Sequence, residues 1–308
     1  CALISYLIII LFWIDTHENI LVLPINYFTE YFSYVAGEAW RGWPYNLLNG
    51  KYYLSSEVPK LHFLINLIYK SPEYFLLCYV IFLIIFIKSN TFFTKKIQFF
   101  NYKIILIISV MIIPFVIGFI IPVVIYDGMR HFLWVLPYFC IIPGLTFYYL
   151  FENLNLLRSK LTLIVLSFFI VYFLFNFFLI TPYHYTYLNM FNGKIENRYQ
   201  KFENDYWASS LGELIKNSSF DKTKTVKFST CGVPASTLKN YLIKRGYTNF
   251  SFLHPEEADF IIMTNRVTFS EKVDNIADIK LINCFDKYEG DDIFQVKRAG
   301  LLLSVIRR

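Results

Sequence analysis

The sequence predicts an α-helical polytopic membrane domain followed by a small α/β extracytoplasmic domain. The 308 residues are 56% hydrophobic and 20% aromatic, with a mean hydropathy of +0.44, which is unusual for a soluble protein. Nearly all long apolar runs lie before residue 183, whereas the remainder alternates between short strand-like and helix-like patterns. We therefore predict a multi-helix transmembrane domain over 1–182 and a soluble domain over 183–308.

The spans are predicted from apolar runs that approach the length needed to cross a hydrocarbon core of roughly 30 Å. They cover 1–14, 73–88, 104–125, 132–151 and 161–181. The run 59–70 is too short and is broken at Ser71-Pro72, so it indicates a re-entrant or interfacial helix, with one kinked helix over 59–88 as the alternative. Because 1–14 has the character of half a span, we expect an N-terminal part to precede Cys1; no signal-peptide pattern is present.

Basic residues predict the orientation of these spans. One connection carries Lys88, Lys95, Lys96 and Lys103 with no acidic residue among them, and another carries Arg158 and Lys160. The positive-inside rule places both connections in the cytoplasm. The long loop 15–58, the turn Tyr126–His131 and the chain after Pro182 then lie outside. This orientation predicts a multi-pass protein of the inner or plasma membrane.

The soluble domain reads as alternating strands and helices, without a nucleotide-binding motif. Strands are predicted at 225–229, 259–263, 280–284 and 294–297, with a possible strand at 249–253 and helices at 203–217 and 234–245. Neither GxGxxG nor GxxxxGK[ST] occurs. The net charge of +6 is spread evenly, with 11 basic against 8 acidic residues up to 182 and 18 against 15 after it, so nucleic acid is not an expected partner.

The five cysteines carry no metal-binding spacing. Cys231 and Cys284 both fall near predicted strand ends. They can form a disulfide if the soluble domain lies outside the cytoplasm, and they remain separate thiols otherwise.

The stretch Tyr126-Asp127-Gly128-Met129-Arg130-His131 lies between two predicted spans, near the membrane surface. Arginine and histidine beside an aspartate and a glycine can hold a phosphate at the boundary between polar and apolar surroundings. An ordinary polar turn is the alternative. Glu57, just before Pro59, is either a helix-dipole partner or a catalytic group. The aromatic segment 181–189 is either an interfacial anchor or a rim that binds sugar hydroxyls.

Taken in order, these polar clusters resemble the C-terminal part of bacterial members of the dolichyl-phosphate-mannose–protein mannosyltransferase-like group. These are integral membrane glycosyltransferases of the GT-C class. The matching stretches, over about 45–215, are Asn49-Gly50 with Tyr53, Ser55–Pro59, Ser71–Glu73, Tyr126–Phe132 with Pro137, Pro182–Asn189, Gly193, and Glu203–Trp207 with Ser210. Lys60 and His62 stand where the family tends to have aromatic residues, and Gly193 stands alone where a pair is common.

The resemblance implies transfer of a sugar from a polyprenyl-phosphate donor to an acceptor hydroxyl on a protein, lipid or glycan, without a metal or cofactor. No stretch matches the family's catalytic acid in the first external loop, so we expect this part of the protein to be inactive alone. Chemistry and topology favour Arg130 as the phosphate partner, His131 as a donor of a hydrogen bond or proton, and Asp127 as the residue that orients Arg130. Further candidates for lining the sugar or acceptor site are Tyr126, Glu57, His184, Tyr187 and Asn189.

Two other functions fit the same sequence. A transporter or flippase for a lipid-linked substrate predicts ionisable residues inside the spans, but the polar groups gather at one surface. A membrane-anchored binding module predicts that the soluble domain is needed and that Arg130 is not.

Overall fold

The computed structural model describes residue 29 and residues 42–120, 124–205, 207–270 and 280–308. The predicted span 1–14 and, apart from residue 29, the first 27 residues of the loop 15–58 lie outside these ranges. The described chain holds a group of long apolar helices and, toward its C-terminus, a separate mixed α/β sheet region.

The helical part begins with a β-hairpin and a short helix. Strands β1 (Tyr45–Leu48) and β2 (Lys51–Leu54) pair antiparallel. Asn49 and Gly50 connect them with φ of 49° and 82°, the left-handed pair of a type I′ turn. Helix α1 (His62–Lys70) follows and ends before Ser71-Pro72, as the two-helix interpretation predicts.

Four longer helices then run back and forth: α2 (Glu73–Lys96), α3 (Phe100–Ile120), α4 (Leu136–Glu152) and α5 (Leu157–Leu179). Helices α2, α3 and α5 are long and apolar enough to cross a membrane. Most of their large apolar side chains face outward, which is the surface that a bilayer would cover. At the end where the predicted cytoplasmic connections lie, Lys96 pairs with Glu152 at 2.8 Å.

The C-terminal part is built on a five-stranded sheet in the order β4-β3-β5-β9-β8. The strands are β3 (Val226–Cys231), β4 (Phe250–Phe252), β5 (Phe260–Thr264), β8 (Asp292–Arg298) and β9 (Leu301–Arg307). Strand β3 is parallel to both β4 and β5, and β9 is antiparallel to β5 and β8. Helices α6 (Leu211–Asn217) and α7 (Ala235–Lys244) cover one face, where a cluster including Phe228, Leu238 and Ile262 is buried.

A small ribbon links the two parts. Strands β6 (Val267–Phe269) and β7 (Leu281–Asn283) pair antiparallel beside the hairpin, and a short helix α8 (Cys284–Lys287) follows. Trp43 donates its indole N–H to the carbonyl of Val267 at 3.1 Å. Asn265 donates its amide to the carbonyl of Phe202 at 3.0 Å. These two hydrogen bonds connect the segment Asn265–Val267 to the hairpin side of the molecule through Trp43 and to the chain before the sheet through Phe202.

The predicted helix over 203–217 is wrong in its first half, because the helix begins only at Leu211. Ala208 has φ of 51°, which a right-handed helix does not allow. The buried carboxylate of Asp205 instead accepts the backbone N–H groups of Ser209 and Ser210 at 2.9 and 3.1 Å, ahead of the helix. The predicted strand 280–284 is also one residue too long at its end, since Cys284 starts α8.

Cys231 and Cys284 form a disulfide that joins the end of β3 to the start of α8. We expect both thiols to resist maleimide in the denatured, unreduced protein and to react after reduction. Peptide mass spectrometry measures the tags, and Cys78 and Cys140 serve as internal controls that react without reduction. Substitution Cys284→Ser should expose Cys231 to the reagent. Tagging of both cysteines before reduction would contradict the pairing.

Candidate functional site

The turn between α3 and α4 projects Asp127 into the interior. The turn is held to the hairpin and the chain after it, since Asn46 donates its amide to the carbonyl of Ile125 at 2.6 Å and Ile125 donates its N–H to Ser55 at 3.1 Å. Asp127 and Gly128 have φ of 55° and 63°, which reverses the chain in two residues. Glycine is favoured at position 128 because its φ is left-handed, and a Cβ there would also displace the ammonium of Lys70, which would lie 2.6 Å away.

Asp127 is the centre of a buried ion network. Its Oδ1 accepts a hydrogen bond from Arg266 at 2.6 Å, and its Oδ2 accepts one from Arg130 at 3.2 Å. The same nitrogen of Arg266 lies 3.5 Å from the carboxylate of Glu203, which also accepts the N–H of Val267 at 2.8 Å. Asp127, Glu203 and Arg266 are each less than 10% exposed. Both oxygens of Asp127 are therefore engaged by arginines.

Burial shifts the acid–base properties of this network. Desolvation raises the pKa of Glu203 to about 7, although the positive charge of Arg266 opposes the shift. Desolvation also lowers the pKa of Lys70 to about 8, against the attraction of Glu203 and Asp127. The ammonium of Lys70 lies 5.4 Å from the ring centroid of Phe202, beneath the turn. Near neutral pH the network therefore holds Glu203 close to its titration midpoint.

Arg130 differs from Arg266 because its side chain is 42% exposed. Its guanidinium lies 4.9 Å from the ring of Trp207 and 5.5 Å from the ring of Tyr126. His131 packs edge-on against Tyr126 at 4.9 Å, and burial lowers its pKa, with the charge of Arg130 adding to the shift. The planar group is thus held by a carboxylate and two aromatic rings, with hydrogen-bonding edges left toward solvent.

The cluster carries an excess of positive charge. Among the residues that the structure describes, it holds the three cations Lys70, Arg130 and Arg266 against the two carboxylates of Asp127 and Glu203. The next residues along the chain include the exposed Leu133 and Trp134, at 58% and 52%. An oriented arginine beside exposed apolar side chains suits an anion at a membrane surface.

The other candidate residues lie in two further places. Glu57 is exposed near the turn, two residues after Ser55; because α1 begins only at His62, Glu57 stands too far ahead of it to act as a helix-dipole partner. His184 stacks on Phe177 at 3.9 Å. Tyr187 donates its hydroxyl to the buried Glu73 at 2.9 Å. These contacts account for His184 and Tyr187 structurally, and their role in binding a sugar stays a prediction.

Asn189 clamps the junction between α1 and α2. Its amide donates to the carbonyls of Ile68 and Ser71, the latter at 2.9 Å, and its side-chain oxygen accepts the N–H of Phe191 at 3.2 Å. The segment 181–189 forms turns, with a single 3₁₀ turn at His184–Thr186. This placement favours the structural interpretation of the segment.

Sequence reasoning found Asp127 and Arg130 but not the residues that hold them. Arg266 is the second residue after β5, and polar residues at the carboxyl end of a parallel strand are a known signal for a site. Lys70 stands at the end of an apolar run. Glu203 falls in the predicted helix 203–217, which in the structure begins only at Leu211. Neither residue carries a local motif that indicates its partner.

Comparison of the chain with protein-family models, with curated proteins and with solved structures found no match to any of them.

Removal of the Arg266 charge is expected to destabilise the fold strongly. Arg266→Met leaves two buried carboxylates without their shared cation, and breaking such a pair costs about 3–5 kcal/mol. Thermal unfolding in detergent measures the loss. The matched control is Arg298→Met, whose partly exposed pair with Glu213 should contribute about 1 kcal/mol or less. Equal losses in both variants would contradict the central role of Arg266.

The raised pKa of Glu203 predicts a pH-dependent stability. Because the folded protein holds this proton more tightly than the unfolded chain, the contribution is complete below about pH 4.5 and is lost as the pH rises through about 7. Between pH 5 and 7 the unfolding free energy of the wild type should fall relative to that of Glu203→Gln by up to about 3 kcal/mol. The difference between the two proteins removes the contributions of His131 and Lys70. Parallel pH curves would show that Glu203 titrates normally.

Proposed function

We propose that this chain is part of a membrane glycosyltransferase that transfers a sugar from a polyprenyl-phosphate donor to an acceptor hydroxyl on the extracytoplasmic side. The observation that carries the proposal is the guanidinium of Arg130. It is oriented by Asp127 and two aromatic rings, is partly exposed, and belongs to a cluster with net positive charge. A planar, oriented guanidinium matches the geometry of a phosphate.

The reaction assigns a role to each group. A carboxylate of the first external loop, which the family resemblance implies, takes the proton of the acceptor hydroxyl. The acceptor oxygen then bonds to the anomeric carbon while the bond from that carbon to the phosphate oxygen breaks. The lipid phosphate leaves with the electron pair, and Arg130 stabilises its growing negative charge. Asp127 orients Arg130 and is not the base, because both of its oxygens are engaged by arginines.

The ends of the helices support an extracytoplasmic site. Arg130 lies at the end of the helix group opposite Lys95, Lys96 and Arg158, which the positive-inside rule assigns to the cytoplasm. The disulfide between Cys231 and Cys284 also suits an oxidising compartment. Within the described part of the long helices, ionisable side chains lie toward the ends, which favours chemistry at the surface over passage through the bilayer.

An apolar groove supports a lipid-linked donor. It is formed by α2, α3 and α4, has a volume of about 490 Å³, and is lined by side chains that include Tyr79, Phe82, Met111 and Ile142. Tyr79 and Ile142 each stand six residues from the end of their helix that faces the site, or about 9 Å. A lipid chain in the groove would therefore bring its phosphate toward the level of Arg130.

Arg130→Ala is expected to lower kcat/KM for sugar transfer by about 10²–10³-fold, because one oriented donor to the leaving phosphate is lost. Arg130→Lys should recover only part of the rate, since a lysine cannot bind phosphate in a bidentate manner. The assay uses the full-length protein, reconstituted in vesicles with a radiolabelled polyprenyl-phosphate sugar.

Arg298→Ala is the matched control, since it removes an arginine from the soluble part and away from the turn. It should transfer sugar at close to the wild-type rate. Folding is checked by the disulfide and by thermal unfolding. If folded Arg130→Ala transferred sugar at the wild-type rate, the proposed mechanism would be wrong. A membrane-anchored binding module makes a different prediction. Removal of 215–308 would abolish its function, whereas Arg130→Ala would leave that function unchanged.

A further inference from the structure

A second cavity lies in the C-terminal part, on the sheet face that α6 and α7 leave uncovered. Its volume is about 1190 Å³. Ser229 and Cys231 stand on that face because they alternate with Phe228 and Thr230 along β3. The mouth is formed by residues after β4, including His254, and by Tyr288 after α8. The cavity has the size of a small-molecule site.

The chain topology also favours a ligand at this place. From β3 the chain crosses through α7 to β4 on one side, and it then returns to β5 on the other side of β3. Ligands of open α/β sheets bind outside the carboxyl ends of parallel strands where such connections diverge. Gly232 stands at that end of β3, and a Cβ there would meet Arg266 at 2.7 Å. The cavity therefore opens next to the residue that holds Asp127.

The lining suits a neutral polyhydroxyl ligand. Trp43, Phe269 and Tyr288 offer ring faces, and the hydroxyls of Ser229, Thr268 and Ser270 offer hydrogen bonds. The fixed charges are one cation, Lys287, and two carboxylates, Glu256 and Glu289. Lys287 lies 4.7 Å from the ring of Phe269 and 5.4 Å from that of Tyr288. With carboxylates in excess, an anionic ligand such as a phosphate is disfavoured, whereas a sugar ring can stack and hydrogen-bond.

Trp43 joins the cavity to the candidate site. Its indole lines the cavity and lies 4.5 Å from the guanidinium of Arg266, whose nitrogen is 2.6 Å from Asp127. We infer that the cavity binds a neutral carbohydrate and that the acceptor of the transfer reaction is therefore a glycan. The second half of this inference rests on the proposed function, whereas the binding itself does not.

Saturation-transfer NMR on the detergent-solubilised chain tests the binding. The probes are the methyl glycosides of glucose, galactose, mannose and N-acetylglucosamine, with methyl glucuronide as the anionic comparison. We expect transfer to at least one neutral glycoside. Tyr288→Ala should reduce it at least about fivefold, as loss of a stacked ring does, and Tyr288→Phe should retain it. Ser229→Trp, which places an indole on the face of β3 that lines the cavity, should abolish it.

The control is Phe191→Ala, an aromatic side chain that is 56% exposed and lies outside the cavity. It should bind as the wild type does, and intact disulfides with unchanged thermal unfolding show that each variant is folded. Absence of saturation transfer to every neutral glycoside, a signal unchanged in folded Ser229→Trp, or stronger binding of methyl glucuronide would each overturn the inference.

Arg130→Ala separates this inference from the proposed function. It should lower sugar transfer by about 10²–10³-fold and leave glycoside binding unchanged, because Arg130 does not line the cavity. If the wild-type protein bound a glycoside but transferred no sugar, the cavity would be a carbohydrate-binding site and the assignment of a glycan acceptor would be refuted. Transfer activity without glycoside binding would refute the cavity inference alone.

Discussion

The buried contact between Asp127 and Arg266 is the interaction on which the arrangement of this protein depends. Asp127 belongs to the turn between two long helices, and Arg266 belongs to the C-terminal part. Neither side chain can be buried by its own part of the chain without a counter-charge, because an isolated buried ion is costly to desolvate. The two parts therefore have to meet at this place, and Trp43 and Val267 pack around the junction once they do.

A buried ion pair is weak evidence for stability and better evidence for specificity. Apolar residues of similar volume would hold the two parts together without the cost of desolvation. They would not present one face of a guanidinium outward at a fixed angle. In this network Arg266 takes one oxygen of Asp127 and leaves the other for Arg130, so that the buried arginine sets the position of the exposed one. This support has an energetic cost, because Glu203 and Lys70 lose water when they are buried below the turn, and their pKa values shift as a result.

The sequence predicted the features that depend on local patterns. Apolar runs located α2, α3 and α5, Ser71-Pro72 located the break after α1, and most strands of the C-terminal sheet were found within two residues. Strand β9 was missed, since a stretch of seven residues with five apolar ones and no alternation does not distinguish a central strand from a helix. The hairpin was missed although Asn49-Gly50 is a strong hairpin signal. The partners of Asp127 were out of reach, because Arg266 is 139 positions away and only the fold brings it close.

The same contact makes the C-terminal sheet region a structural support of the candidate site rather than a separate attachment. Arg266 stands between two surfaces: on one side it holds Asp127, and on the other it lies beneath Trp43 and against Gly232. A change in the position of β5 would move the guanidinium, and the orientation of Arg130 would follow through Asp127. The missing side chain at Gly232 lets the Cβ and Cγ of Arg266 lie against the backbone, and at Gly128 it leaves room for the ammonium of Lys70. These two contacts, one in each part, place the exposed Arg130 and the cavity beside β3 on either side of the buried Arg266.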